Sequence, residues 1–134
     1  MIGCDTNVLI RAALEDDPNE AKIARQFLEK TSNAKKLFIS SYAILEMAWV
    51  MKVKKRTRHE IVESILDLLD SPGIVVAQRE AIESALELYK KGKADFADYL
   101  ILSEGELHHV QKLASFDKVL CKDNHRVKNP KKYN

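Results

Sequence analysis

The sequence predicts an α/β fold of the three-layer α/β/α kind, with a mainly parallel central sheet. Two observations predict it. Four short apolar runs of strand length recur along the 134 residues, and stretches of helical periodicity fill the intervals between them. Strands separated by helices need crossover connections, which are right-handed and cover both faces of a parallel sheet. No repeat, low-complexity stretch or linker interrupts the chain, so residues 1–134 are read as one domain.

The first run, Met1 to Cys4, is too brief for a helix and suits a buried strand. A helix is expected from about Asn7 to Leu14, and Glu15-Asp16-Asp17-Pro18 breaks it, since proline disfavours helix at the residue before it. From Asn19 onward, Ile23, Ala24, Phe27 and Leu28 recur at helical spacing. Leu37-Phe38-Ile39 reads as the second strand, and Ser40 or Ser41 can cap the helix that follows over Ala43 to Val53. Thr57 opens another helix, with Ile61, Ile65, Leu68 and Leu69 on one face. Ser71-Pro72-Gly73 turns the chain into a third strand, Ile74-Val75-Val76. Ile82, Ala85, Leu86 and Tyr89 form the clearest amphipathic stripe, Gly92 ends that helix, and a further one runs from about Phe96 to His108. Leu113 to Phe116 is the fourth strand candidate.

Composition excludes several classes. With 46% hydrophobic residues the chain can bury a core, and its few glycines and prolines and well-mixed charge argue against disorder. A net charge of +2 is too small to point to a polyanionic partner, so any such argument must come from charge distribution. Cys4 and Cys121 have no metal-ligand spacing and read as buried free thiols; the four histidines show none either. There is no transmembrane run, and Asp5 and Arg11 interrupt the only apolar stretch near the N-terminus. A soluble cytoplasmic protein without a membrane partner is expected. Trp49 and Tyr99 are expected in the core or at a dimer contact rather than against bases.

The acids are more informative. In an open parallel sheet the binding crevice lies outside the carboxyl ends of the strands. Asp5 falls at the end of the first strand and Asp117 just past the fourth. Glu46 lies in the first two turns of the helix after the second strand, and Asp98 in the first turn of the helix before the fourth. Four acids from distant parts of the chain can thus converge on one edge. Carboxylates held together repel unless a cation joins them, and Mg²⁺ or Mn²⁺ favours oxygen ligands. Two such ions about 4 Å apart can activate a water and stabilise the leaving oxygen of a phosphodiester.

Each acid also has a structural reading. Asp95 and Asp98 have the spacing of a helix N-cap and its capping-box partner, and both suit the helix dipole. Glu46 is flanked by Ile44, Leu45, Met47, Ala48 and Trp49, so its structural alternative is a buried pair with an Arg or Lys. Thr6 and Asn7 can orient Asp5 or a water, or can cap the first helix.

Here the residues resemble a known family. Met-Ile-Gly-Cys-Asp5-Thr6-Asn7-Val-Leu-Ile resembles the opening motif of PIN-domain nucleases. Leu45-Glu46-Met-Ala-Trp49-Val50 resembles their second motif, Ala94-Asp95-Phe96-Ala97-Asp98-Tyr-Leu the third, and Ser115-Phe116-Asp117 the fourth, with Ser115 in place of the usual Thr. Order and intervals fit along nearly the whole chain, and Asp16-Asp17-Pro18 suits the bacterial toxin branch, the VapC-type toxins of toxin–antitoxin pairs. The segment Leu107 to Lys112 departs most from the family pattern. The resemblance implies a Mg²⁺- or Mn²⁺-dependent endoribonuclease, commonly a homodimer, held inactive by a cognate antitoxin. It implies that Asp5, Glu46 and Asp98 hold a first metal, that Asp117 helps with a second, and that Asp95 is an accessory acid.

Lys52, Lys54, Lys55, Arg56 and Arg58 form the densest basic cluster, next to the helix that carries Glu46. Such cations admit a polyanion to an acidic cleft and give affinity without sequence choice, although a solvated helix end has the same composition. Lys128, Lys131 and Lys132 can act likewise from a mobile tail, and Arg11 from the first helix. Two other functions remain open: a PIN nuclease of RNA processing or structured DNA, and a catalytically silent PIN domain that binds RNA or protein. A receiver-like phosphoacceptor domain also clusters acids at strand ends, but helix-borne Glu46 and Asp98 suit it poorly.

Overall fold

The computed structural model describes residues 1–133. The chain divides into two compact units, Met1–Arg79 and the residues from Glu80 onward, each taken by itself.

The first unit is organised on a three-stranded parallel sheet in the order β1 (Ile2–Gly3), β2 (Leu37–Ile39), β3 (Ile74–Val76). Ile2 pairs with Leu37, and Leu37 with Ile74. Leu37 and Ile39 are wholly buried while Phe38 between them is 38% exposed, which is the two-residue alternation of a strand. The expected burial of the first strand does not hold: β1 is a sheet-edge strand in this unit and both its residues are exposed.

Helix α1 (Thr6–Leu14) begins where Asp5 turns out of the strand path and its Oδ1 accepts the Val8 amide at 3.3 Å. Its last turn is closed by Glu15 in the left-handed region, and Arg25 Nε donates to the Ala12 carbonyl, one of the orphan acceptors of a helix end. Pro18 both ends this segment and opens the next, because Asp17 caps α2 (Pro18–Ala34) with proline in the first turn, where its missing N–H is harmless. Ala21 and Ala24 are the buried residues of α2, and their small side chains suit the close packing of α1 on α2. Ile23 lies 67% exposed, outside the core.

Ser40 caps α3 (Ser41–Val53) through its hydroxyl, as its position suggested. Ala43, Ile44, Met47, Ala48 and Met51 form the buried face of α3. α4 (Arg58–Asp70) starts with a full Thr57–Glu60 capping box and buries Ile61, Val62, Ile65 and Leu69. The turn into β3 needs Gly73, whose φ is 80° and whose missing side chain lets the backbone of Ser32 approach.

The second unit holds nearly all of α5 (Arg79–Lys91), then α6 (Phe96–Leu107), β4 (Leu113–Ala114), α7 (Lys118–Asp123), β5 (Val127–Lys128) and a 3₁₀ turn over Pro130–Tyr133. The stripe Ile82, Ala85, Leu86 and Tyr89 is buried as its spacing required. Tyr89 meets Phe96 and Tyr99 edge to face, with ring centroids 5.8 and 6.4 Å apart. Tyr99 is therefore core, at 1% exposure, whereas Trp49 of the first unit is 65% exposed and is not.

The expected fourth strand shrinks to Leu113–Ala114 and pairs in parallel with β5, forming a second, two-stranded sheet. Neither β5 nor α7 was expected from the sequence. Lys128 consequently sits in a strand and Lys131 and Lys132 in the 3₁₀ turn, rather than in a loose tail. Every strand pairing among the described residues is parallel, which upholds the α/β class. No described helix is long and apolar enough to cross a membrane.

Candidate functional site

In the first unit the site grows from the junction of β1 and α1. Asp5 is the N-cap of α1, exposed, and the cap engages only its Oδ1. Thr6 and Asn7 are therefore not the caps; they lie inside the first turn. Thr6 instead sends its hydroxyl to Glu46 Oε1 at 2.8 Å, a bond between residues 40 apart in sequence. Glu46 is half-buried, and its partner is this hydroxyl rather than the Arg or Lys that a structural ion pair would require. The acid on α3 is thus tied to the residue that follows Asp5.

Asp5 and Asn7 also line a groove of ≈ 830 Å³, together with Cys4, Val8, Arg11 and Phe27. Glu46 is not among its walls; it joins the site through Thr6. Arg11 does reach this groove, where it forms an exposed ion pair with Glu20 of α2. Glu20 escaped the sequence reading, because a first-turn acid after Pro18 has an ordinary explanation in the helix dipole. Burial, and then the negative charge of Asp5, push the Cys4 thiol above its ordinary value, so a neutral thiol and not a thiolate stands beside Asp5. Both cysteines are free and half-buried rather than buried.

The basic residues follow α3. Lys52 is in its last turn, Lys54 is its C-cap, and Lys55 adopts a left-handed backbone with φ 64° before Arg56 and Arg58. Lys54 approaches Asp16 at 3.6 Å in an exposed pair.

In the second unit Asp95 occupies the N-cap position of α6, with extended backbone, but its side chain makes no capping hydrogen bond. The Asp95 half of the capping-box reading therefore holds for position only. Asp98 lies in the first turn and is half-buried. Asp117 caps α7 through Oδ1 to the Leu120 amide at 2.9 Å, and the Ser115 hydroxyl accepts from the Asp117 amide at 3.0 Å. The capping role of Asp117 was invisible without α7.

One buried latch was also missed. Tyr99 accepts from the Ala94 amide at 3.0 Å and donates its hydroxyl to Asp123 Oδ2, holding the turn that leads into α6. No local signal joins Tyr99 to an acid 24 residues away.

Among the described residues, no three His, Cys, Asp or Glu side chains form a ready-made metal cage. A hard divalent ion does not need one, since Mg²⁺ keeps several waters and is commonly held through one or two carboxylates. The first unit offers the carboxylates of Asp5 and Glu46, each with one oxygen outside the hydrogen bond that orients it, and the donors are all oxygen. That chemistry fits Mg²⁺ or Mn²⁺.

Compared with models of known families, the chain matches the one described as PIN domain over residues 2–123. No curated protein matches it. The family match bears out the expected three-layer α/β/α fold class, to which the parallel pairings described above belong.

Proposed function

Because this chain belongs to the PIN domain family, whose members are generally nucleases, we propose that it is a Mg²⁺- or Mn²⁺-dependent endoribonuclease and the toxin of a VapC-type toxin–antitoxin pair. The observation that carries the reading is the Thr6–Glu46 hydrogen bond, which ties an acid on α3 to the turn that presents Asp5. An Asp-Thr pair whose hydroxyl fixes a remote carboxylate has little structural purpose on a half-exposed surface. It has a clear one where carboxylates must hold a cation in fixed geometry.

In this proposal Asp5, Glu46 and Asp98 hold the first ion and Asp117 assists a second, with Asp95 as an accessory acid. The order of the four motifs within the family match over residues 2–123 supports including the acids of the second unit. When bound, the ion supplies Lewis acidity that polarises the scissile phosphate and readies a water for attack. Thr6 holds Glu46 in one rotamer, and the Val8 amide holds Asp5 in another. Asn7 and Ser115 orient these acids and the incoming water. Arg11 and the cluster Lys52, Lys54, Lys55 and Arg56 offset the repulsion between an acidic site and a polyanion. The whole chain works as one nuclease domain, as a homodimer in the cytoplasm, restrained by its antitoxin.

Asp5→Asn and Asp98→Asn tests the site. Both are expected to abolish metal-dependent RNA cleavage while leaving the thermal transition in place, and undiminished cleavage by Asp98→Asn removes the assignment. Growth arrest on expression, reversed by co-expression of the neighbouring gene, supports the toxin role. Harmless expression of an enzyme active in vitro, or a preference for structured DNA, counts against it.

A further inference from the structure

The latch around Tyr99 joins the elements that carry two acids of the proposed site. α6 starts without the usual lock, since Asp95 stands at its N-cap but its side chain makes no capping hydrogen bond. Tyr99, one turn into the helix, reaches back instead, and its hydroxyl accepts the Ala94 amide at 3.0 Å. The same hydroxyl donates to Asp123 Oδ2, which also accepts the Lys93 amide at 3.4 Å. The turn that presents Asp95 and Asp98 is therefore fixed by a phenol and a carboxylate, and Asp98 directly precedes the phenol in the chain. Gly92 leaves room for this arrangement, because a side chain there would press on the Tyr99 hydroxyl and the Asp123 carboxylate.

The other side of the latch leads to Asp117. Asp123 is the last residue of α7, and Asp117 is the cap at its start. That start is held as firmly as the end. Asp117 Oδ1 accepts the Leu120 amide at 2.9 Å, the Asp117 amide donates to the Ser115 hydroxyl at 3.0 Å, and Cys121 Sγ donates to the Ser115 carbonyl at 3.5 Å. A helix of six residues rises only about 9 Å, so α7 is a short strut with Asp117 at one end and Asp123 at the other. A buried phenol needs an acceptor, which any nearby carbonyl can supply. Here the acceptor is the carboxylate at the far end of the helix that Asp117 caps, so the bond that satisfies the phenol also fixes α7 against α6.

We propose that Tyr99 and Asp123 are positioning residues of the metal site, which hold Asp98 and Asp117 at a fixed spacing for divalent ions. The proposal rests on the nuclease reading above and extends it from the acids to the bond that sets the distance between two of them. Neither residue touches an ion; each acts through an acid on its own helix. Removing groups that brace metal ligands from behind typically lowers ion affinity or activity by roughly 10–100-fold.

The full chain is titrated with Mn²⁺ alone, and free Mn²⁺ is followed by its paramagnetic resonance signal. RNA cleavage across a Mn²⁺ series is measured in parallel. Asp123→Ala and Tyr99→Phe are each expected to weaken Mn²⁺ binding about tenfold. Both should raise the Mn²⁺ needed for half-maximal cleavage by the same factor, with most of the maximal rate regained at saturating ion. Asp123→Asn removes the same charge but keeps an acceptor for the phenol, and is expected to retain most of the affinity. Ile82→Val, on the buried face of α5, loosens the core of the unit without touching the latch. Its Tm should fall while its Mn²⁺ affinity stays at the wild-type value. Asp123 is exposed, so the Ala and Asn variants at that position carry the test even where Tyr99→Phe fails to fold.

Unchanged Mn²⁺ binding by folded Asp123→Ala overturns the proposal. So does an equal loss in Asp123→Asn, which assigns the effect to charge, or in Ile82→Val, which assigns it to a general loosening of the unit. The wild-type chain separates the two readings. Binding and cleavage that Asp123→Ala leaves intact defeat only the positioning role, whereas a wild type that neither binds Mn²⁺ nor cleaves RNA defeats the nuclease reading as well.

Discussion

Thr6 Oγ1 donates to Glu46 Oε1 at 2.8 Å, and this bond joins the first turn of α1 to the second turn of α3. A threonine hydroxyl at this point of a helix commonly turns to its own backbone, and here it reaches a carboxylate from another element instead. The bond uses one carboxylate oxygen of Glu46, as the Val8 amide uses one of Asp5. Each acid is thereby oriented by a neutral donor, which fixes direction without cancelling the charge a cation would meet.

Thr6→Val keeps the β-branched shape and removes the hydroxyl. A hydrogen bond to a charged group contributes about 1.5–3 kcal/mol, so releasing Glu46 is expected to lower RNA cleavage on the order of tenfold or more. The loss should shrink as Mg²⁺ is raised, because a disordered ligand weakens ion binding first, and Thr6→Ser should restore most of the rate. Initial rates across a Mg²⁺ titration, with thermal unfolding as control, check this. A Thr6→Val enzyme with the wild-type rate and metal dependence shows that the bond is only structural.

The capping box at the start of α4 gives a pH-dependent prediction. Thr57 Oγ1 accepts the Glu60 amide at 3.1 Å, and Glu60 Oε1 accepts the Thr57 amide at 2.9 Å. The backbone hydrogen bond from Thr57, followed by its side-chain bond, holds the Glu60 carboxyl below its ordinary value. Its contribution to stability is therefore present above the ordinary carboxylate range and is lost as pH falls through the lowered folded-state value. Urea unfolding at pH 7 should show Glu60→Gln less stable than wild type, and the gap should close in acid. Thr57→Ala should cost about 0.5–2 kcal/mol at pH 7, and part of that loss should also close in acid, because the Thr57 side chain helps hold the Glu60 carboxyl low. A Glu60→Gln deficit that is constant with pH contradicts this account.

Legibility of the chain followed element length and local chemistry. Helices of nine or more residues with a capping residue were readable, because Ser40, Thr57 and Gly92 act on their immediate neighbours. The strands β2 and β3 were readable as apolar triplets between turns. β5 is two residues long and α7 is six, too short for either period to show, and so the cap role of Asp117 was hidden with them. At the site, the residue types at Asp5, Thr6 and Glu46 were visible, but the direction of the Thr6 hydroxyl was not: capping and reaching across to α3 are equally compatible with Asp-Thr-Asn. Exposure of Trp49 was hidden for a related reason. Apolar residues surround it in sequence, and only the register of α3 decides that Met47, Ala48 and Met51 go inward while Trp49 does not.

The latch in the second unit predicts a stability loss with a defined pattern. Tyr99 is 1% exposed, and its hydroxyl links the Ala94 amide to Asp123. Tyr99→Phe removes the link without opening a cavity and is expected to cost about 1–3 kcal/mol. Gly92→Ala is expected to be at least as harmful, because the new methyl would press on the Tyr99 hydroxyl and the Asp123 carboxylate together. Combining the two should cost less than their sum, since both act on one contact. Denaturant unfolding of the single and double variants checks this, and strictly additive losses refute a shared latch.

Ser103 gives the one prediction of increased stability. It is 2% exposed in the middle of α6, and among the described residues its Oγ has no hydrogen-bond partner. A buried hydroxyl left unsatisfied costs about 1–3 kcal/mol, and serine is also a poorer helix former than alanine by a few tenths to about 0.5 kcal/mol. Removing the oxygen leaves only a small void to set against those terms, so Ser103→Ala is expected to raise stability by about 1 kcal/mol. For a chain of this length that is a rise in Tm of roughly 3–5 °C. Ser103→Thr serves as the opposing control: it keeps the hydroxyl and adds a methyl to a closely packed face, so its Tm should fall. If instead Ser103→Ala lowers Tm, the hydroxyl is satisfied in solution, and its position in α6 beside Leu102 and one turn after Tyr99 becomes a structural requirement rather than a tolerated cost.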